Sequence, residues 1–400
     1  MPKDFVPVAR PHLGREEVSA AERVILSGWV TQGPEVAALE REFAAFVGAS
    51  HACAVSSGTT ALHLALLAVG VRPGDEVVTV SHSYIATANS IRYCGARPVF
   101  VDIEPATFNI DPARIEPAIS EKTRAILCVH QMGMPCDLNA IIEIARRHKI
   151  AVVEDAACAI GSEIHWNGNW EKIGRPHGDV ACFSFHPRKL LTTGDGGMLT
   201  TANPEIDRNF RLWRQHGMSV PDTVRHSSSK VVFESYPELG FNYRLTDIQA
   251  AIGREQLKRL PAAISERRQM AARYGQLLGD VREVVLPSEP TWARTNWQSY
   301  CIRLAENLLQ QDVMQRMLDE GIATRRGIMC AHREPAYSDP ATWRCPRVDC
   351  QPGPGCPNLV ESERAQDHGV ILPLFSQMTK EQQERVGFAL RDACSSRNSG

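Results

Sequence analysis

Three short stretches of the 400-residue sequence carry side chains whose types and order suit reaction chemistry. In Ser56-Ser57-Gly58-Thr59-Thr60, hydroxyl-bearing residues and a glycine lie between an apolar run and a helical pattern that begins at Ala61. A small-residue turn that opens a helix presents unpaired backbone N–H groups at the positive end of the helix dipole, which suits an anion such as phosphate, and hydroxyls add donors. On its own such a turn is equally an ordinary N-cap. The run IAVVED ends on Glu154-Asp155. Ligand crevices of open α/β sheets lie beyond the carboxyl ends of the strands, so an acid there is placed to meet a cationic ligand group. Taken alone, Asp155 is equally the cap of the AACAIG segment, and Glu154 points the other way. The third stretch, FSFHPRKLLTTGDGGML, sets Lys189 between a strand and a glycine-rich turn. Held among Phe183, Phe185, Leu190 and Leu191, its amine is expected to be partly desolvated and available for a Schiff base. Gly194, Gly196 and Gly197 let the backbone turn sharply beside a ligand.

Read in order, these stretches supply a phosphate cradle, a partner for a protonated ring nitrogen and an amine for an aldehyde, the three handles of pyridoxal 5′-phosphate. The elements that must position them follow from the alternation, between about residues 50 and 200, of short β-branched runs with helical patterns. HACAVS, DEVVTV, RPVFVDI, RAILCVH, IAVVED, DVACFSF and GGMLTT read as strands, and GTTALHLALLAVG and LNAIIEIARRHK as helices. That pattern predicts a parallel sheet covered by helices. A long helical pattern from Thr246 to about Leu278 is expected to break at Pro261 and to lead into a C-terminal domain, where LLQQDVMQRMLDEG and TKEQQERVGFALRDA read as helices and SYCIRL as a strand. The expected organisation is an arm over 1–15, a large cofactor-binding domain over 16–260, a smaller α/β domain over 261–394 and a frayed tail over 395–400.

Composition narrows the classes of function. With 44 Lys+Arg against 46 Asp+Glu the formal net charge is -2, which removes the electrostatic argument for nucleic acid or an anionic membrane as partner. The N-terminal MPKDFVPVARP lacks an apolar run after its first charges, no stretch approaches the length of a bilayer span, and the expected location is the cytoplasm. Twelve cysteines are too sparse for a disulfide scaffold in a chain of this length, and Cys53, Cys94, Cys128 and Cys182 sit in apolar runs as core residues. Cys345, Cys350 and Cys356 cluster instead in CPRVDCQPGPGCP. Without a Cys-x-x-Cys pair, this loop is expected to hold no metal.

The chain also resembles, from about Arg10 to Leu390, the DegT/DnrJ/EryC1/StrS family of pyridoxal phosphate-dependent sugar aminotransferases, which have the fold type I architecture of aspartate aminotransferase. SSGTTALHLAL, VTVSHSYIATANSI, VVEDAACAIGS, CFSFHPRKLLTTGDGGML, GFNYRLTDIQAAIGREQL and VILPLFSQMT carry the resemblance. It implies a large domain with a mostly parallel sheet beside a smaller α/β domain. It implies that Lys189 forms the Schiff base with the cofactor, that Asp155 binds the ring nitrogen, and that Gly58, Thr59 and Ser184 hold the phosphate. Tyr84 falls where an aromatic ring stacks on the cofactor, and Asn242 where a residue reaches the neighbouring subunit's phosphate across a dimer interface. Cys158 stands where a His or Gln often meets the cofactor's phenolic oxygen. GIATRRGIMCAHREPAY occupies the place of a substrate loop, with Arg325, Arg326 and His332 as contacts. The activity implied is transfer of an amino group, usually from L-glutamate, to a nucleotide-linked keto-deoxy sugar by a homodimer. A keto-cyclitol aminotransferase and a sugar dehydratase of the same fold are the alternatives; Lys189 argues against the dehydratase, in which the lysine is replaced by histidine. A non-catalytic cofactor-binding protein would leave the complete cofactor set without a reason.

Overall fold

The computed structural model describes residues 5–220, 228–346 and 353–395. The seven apolar runs form the central sheet: β1 (His51–Val55), β2 (Glu76–Val80), β3 (Arg97–Val101), β4 (Thr123–Val129), β5 (Ala151–Asp155), β8 (Val180–Ser184) and β9 (Gly197–Thr201). Their order is β1-β9-β8-β5-β4-β2-β3, parallel except that β9 runs antiparallel to both β1 and β8. Helices cover both faces, so successive residues of one strand enter different cores. Val78, Cys128 and Phe183 belong to one apolar cluster, and their neighbours Val77, Leu127 and Cys182 to another. This burial on both faces explains why the strands read as near-continuous apolar runs rather than alternating ones. It also explains the buried thiols of Cys53, Cys128 and Cys182 on the strands, whereas Cys94, equally expected in the core and buried, lies at the C-terminal cap of the helix Ala86–Tyr93 rather than in a strand.

Among the helices that matter for the site, α1 spans Arg15–Ser27, α2 Pro34–Val47, α3 Gly58–Ala68 and α4 Ala86–Tyr93. Both α1 and α2 pack against the helix Asp247–Leu278, which is opened by a reciprocal cap between Thr246 and Gln249. Contrary to expectation, that helix runs for 32 residues through Pro261 without a break. The proline forfeits one backbone bond, but Leu257, Leu260 and Ile264 anchor the helix in the large lobe while Met270, Tyr274 and Leu278 anchor its far end in the small one. Tertiary packing on both sides outweighs the local defect.

The strands β6 (Glu163–Trp166), β7 (Asn169–Lys172) and β11 (Ala293–Arg294) form a three-stranded sheet, so the chain that leaves the long helix returns to the large lobe. The small lobe is built on a second sheet, β10 (Val284–Val285), β12 (Tyr300–Leu304), β14 (Gly369–Leu372) and β13 (Arg325–Arg326), in that order. Residues ahead of α1 are tied to this lobe: Val6 is fully buried and exchanges backbone bonds of 2.9 Å with Gly321 and Ala323. Among the described residues no helix is long and apolar enough to cross a membrane.

Candidate active site

The turn between β1 and α3 separates capping from binding. Ser57 accepts the Thr60 N–H at 3.1 Å, and the Thr60 hydroxyl accepts the Ser57 N–H at 3.1 Å. These two hydroxyls, expected as ligand donors, are used by the helix cap itself. The N–H groups of Gly58 and Thr59, at the first two helical positions, have no partner among the described residues. Gly58 is required for the approach of β8, because a Cβ there would lie 2.8 Å from the Ser184 Cβ. The Ser184 hydroxyl is thereby brought against the open start of α3, and the two free N–H groups with this hydroxyl make a cradle of donors for a phosphate.

Asp155 ends β5 and is 6% exposed. Its carboxylate accepts the Thr87 hydroxyl at 2.8 Å and the Ala157 N–H at 3.2 Å, with no cation at ion-pair distance among the described residues. Burial pushes this carboxyl above its ordinary value, and the Thr87 and Ala157 hydrogen bonds and the Lys189 charge oppose that rise without cancelling it. A buried acid held by two neutral donors suits a cationic ligand nitrogen. Thr87, on α4, was not singled out by sequence reasoning; the Ser83–Thr87 spacing, with hydroxyls 2.8 Å apart, was the available signal. Glu154 faces the opposite way as expected, buried against the Gly178 N–H at 2.9 Å and the His130 ring at 3.0 Å.

Lys189 lies half-buried on an irregular turn after β8. The phenylalanines expected around its amine face elsewhere, because strand alternation sends Phe183 and Phe185 into the core against Phe43, at 5.0 and 5.8 Å, while Ser184 takes the other face. What lies at the amine is a thiol. Nζ donates to Cys158 Sγ at 2.9 Å, and Cys158 is partly exposed whereas the other described cysteines are buried.

The remaining sequence candidates divide. Tyr84 is 62% exposed at the entry to α4, one turn ahead of Thr87. Asn242 is exposed beside the cradle: its neighbour Tyr243 accepts the Ser56 N–H at 2.8 Å, stacks on Phe241 at 4.9 Å and reaches His63 at 3.1 Å. Arg325 and Arg326 are exposed on the edge strand β13, where Arg326 lies 3.6 Å from Glu334. His332 is not presented to a substrate. Its ring is fully buried, and Ser81 Oγ at 2.6 Å and Glu363 at 3.0 Å occupy both nitrogens, stitching the C-terminal segment to the end of β2. In the cysteine-rich loop, Cys345 and Cys356 are buried with sulfurs 3.4 Å apart; Cys350 lies outside the described residues.

Comparison with solved structures sets this architecture in a class. The chain superposes with a TM-score of 0.86 on DesV of S. venezuelae, solved in complex with a ketimine intermediate, at 32% identity over 98% of this chain and 99% of that one. The fold is that of the type I pyridoxal phosphate-dependent transferases, and the protein is an aminotransferase of that class. Residues 11–391 match the profile of the DegT/DnrJ/EryC1/StrS aminotransferase family, and the chain belongs to it. It is 38% identical to GDP-perosamine synthase of Caulobacter vibrioides over 389 residues, covering 96% of this chain and 97% of the relative. It is 35% identical to the spore coat polysaccharide biosynthesis protein SpsC of Bacillus subtilis over 392 residues, covering 97% of each.

Proposed function

We propose that this enzyme transfers an amino group from L-glutamate to a nucleotide-linked keto-deoxy sugar, as a cytoplasmic homodimer with shared active sites. The observation that carries the reading is the convergence, at the carboxyl ends of one sheet, of the open start of α3, the buried Asp155 and the Lys189 amine. The similarity to a GDP-perosamine synthase and to a spore coat polysaccharide biosynthesis protein supports the sugar substrate. Bound pyridoxal phosphate supplies an aldehyde for amine exchange and a ring that takes up the electrons released when a proton leaves the donor's α-carbon.

The chain's own residues do the rest. Gly58 and Thr59 hold the phosphate through backbone N–H groups, joined by the Ser184 hydroxyl, and Tyr84 covers the ring. Asp155, oriented by Thr87, keeps the ring nitrogen protonated. Cys158 would meet the ring oxygen. Lys189 Nζ would hold the aldehyde carbon and, once displaced by the donor amine, would be the base that moves the proton from the donor's α-carbon to that former aldehyde carbon. Arg325 and Arg326 contact the nucleotide sugar. His332 acts from behind, holding the substrate loop to Ser81.

Two measurements test this. Purified protein is incubated with glutamate and a panel of nucleotide-linked 3-keto and 4-keto sugars, and 2-oxoglutarate and product mass are followed; amination of a free keto-cyclitol but of no nucleotide-linked sugar refutes the substrate. Borohydride reduction and peptide mass spectrometry are expected to place a pyridoxyl group on Lys189, and Lys189→Ala to lose the visible absorption. An adduct on another lysine refutes its role.

A further inference from the structure

We infer that the turn Thr295–Gln298 is a positioning device for the reacting amine, with Gln298 acting on Lys189 and Asn296 on Cys158. The inference rests on the reading of Lys189 as the cofactor-binding lysine. Lys189 sits on a turn with no regular secondary structure, yet its backbone is bracketed by one side chain. Gln298 Oε1 accepts the Leu190 N–H at 3.0 Å, and Gln298 Nε2 donates to the Arg188 carbonyl at 2.6 Å. The thiol at the other end of the amine's contact is held from the same turn. Asn296 Nδ2 donates to the carbonyls of Cys158 and Ile160, each at 2.9 Å. Both amides are buried, Gln298 at 8% exposure and Asn296 at 0%.

The turn is kept in a costly conformation. Between the two amides stands Trp297 at φ 52°, a left-handed backbone that bulky residues avoid and that persists only where its surroundings over-determine it. They do so here. Asn296 Oδ1 accepts the Gln298 N–H at 2.8 Å and Thr295 Oγ1 the Trp297 N–H at 3.1 Å. The buried Arg267 guanidinium donates to the carbonyls of Trp297 and Gln298 at 3.2 and 3.0 Å. Gly133 leaves room for it, since a Cβ there would lie 2.1 Å from Asn296 Oδ1. The Trp297 ring meanwhile stacks on Tyr300 in the small-lobe core. One strained turn thus anchors in the small lobe and suspends both ends of the Lys189–Cys158 contact in the large one. A misplacement of an ångström at an amine that must bond and unbond a carbon is costly in rate, which gives the strain a use.

The test compares Gln298→Met, which keeps length without hydrogen bonds, with Gln298→Glu, which keeps the acceptor for Leu190 N–H but loses the donor to Arg188. Gln383→Met is the control, because Gln383 is likewise a buried amide, bonded to the Met270 carbonyl within the small lobe. Cofactor-free full-length protein is acetylated with limiting acetic anhydride, and Lys189 labelling is measured against exposed Lys258 by peptide mass spectrometry. Gln298→Met is expected to raise the Lys189/Lys258 ratio about threefold or more, as a tethered amine is released, with Gln298→Glu between it and wild type. In the loaded enzyme, kcat is expected to fall about tenfold with KM for the amino donor little changed. A wild-type ratio and kcat in both Gln298 variants, or an equal rise in Gln383→Met, overturns the inference. Should Gln298→Met not fold, Gln298→Glu decides by the same readings. Borohydride trapping keeps the two ideas apart: a pyridoxyl group on another lysine of the wild type overturns the Lys189 reading, whereas one on Lys189 with unaltered Gln298 variants overturns only the positioning role.

Discussion

At the residue scale, the chemistry turns on what each polar group lacks. Asp155 has two neutral donors and no cation at ion-pair distance among the described residues, so its carboxylate has electrostatic interaction to offer a protonated ring nitrogen. Asp155→Asn keeps the size and the contact with Thr87 but removes the charge; it is expected to fold, bind cofactor and lose about a hundredfold in kcat, a typical cost for one preorganised electrostatic partner. Near-normal turnover with cofactor bound would sink the role. Cys158 offers a polarisable thiol at the Lys189 amine. If the thiol meets the ring oxygen, Cys158→Ala shifts the visible absorption of the loaded enzyme, and an unchanged spectrum makes it a packing residue. The placement of Asp155 and Lys189 after apolar strands was legible because it is set by local sequence. Thr87 was not, since its partner lies far along the chain and hydroxyls near helix starts are common.

At the element scale, Pro261 and Glu76 show tertiary contacts overriding or exploiting local chemistry. Pro261 sits exposed within a continuous helix, so Pro261→Ala restores a backbone donor and is expected to stabilise the protein by about 1 kcal/mol or more in thermal or denaturant unfolding. No gain would mean that the helix has already relaxed around the defect. Glu76 at the head of β2 ties down the C-terminal segment. Burial raises its pKa, but hydrogen bonds from Arg344, Arg97 and Ser120 outweigh it and hold the carboxyl at about 2. A folded-state value depressed from the ordinary 4.5 gives stability that is present above about pH 4.5 and lost as pH falls toward 2. Glu76→Gln is therefore expected to be about 3 kcal/mol less stable at pH 7, with the gap to wild type closing across that window. A gap that stays constant with pH refutes the ionic contribution. The hairpin of β6 and β7 shows a signal left unread: Asn167 and Gly168 both take positive φ, 48° and 86°, in an Asn-Gly turn that favours such hairpins.

At the scale of the whole molecule, one chain leaves apolar side chains uncovered on the stretch that leads to Asn242. Val231, Phe233 and Leu239, on the stretch leading to Asn242, are 84%, 89% and 87% exposed, which favours burial against a second copy. If Asn242 reaches the partner's phosphate, mixing inactive Lys189→Ala with an Asn242→Ala variant of weakened cofactor binding regenerates one intact site per heterodimer. Activity should recover on subunit exchange. Demonstrated heterodimers without recovery would place Asn242 in its own subunit's site or outside any site.

The sequence by itself determined the fold class, since strands buried on both faces must be apolar throughout and the turns between them are local chemistry. The order of the hydroxyl turn, the acid and the lysine was likewise legible, because each is defined by its immediate neighbours. Only the tertiary structure decided which groups meet. Strand alternation turned the phenylalanines away from Lys189 and packing brought Cys158 to it, while burial closed His332 to a substrate. Asn296 and Gln298 came to act on residues more than a hundred positions earlier in the chain. Such contacts depend on how two lobes pack and on a backbone turn held against its own preference, and neither leaves a pattern in neighbouring residues.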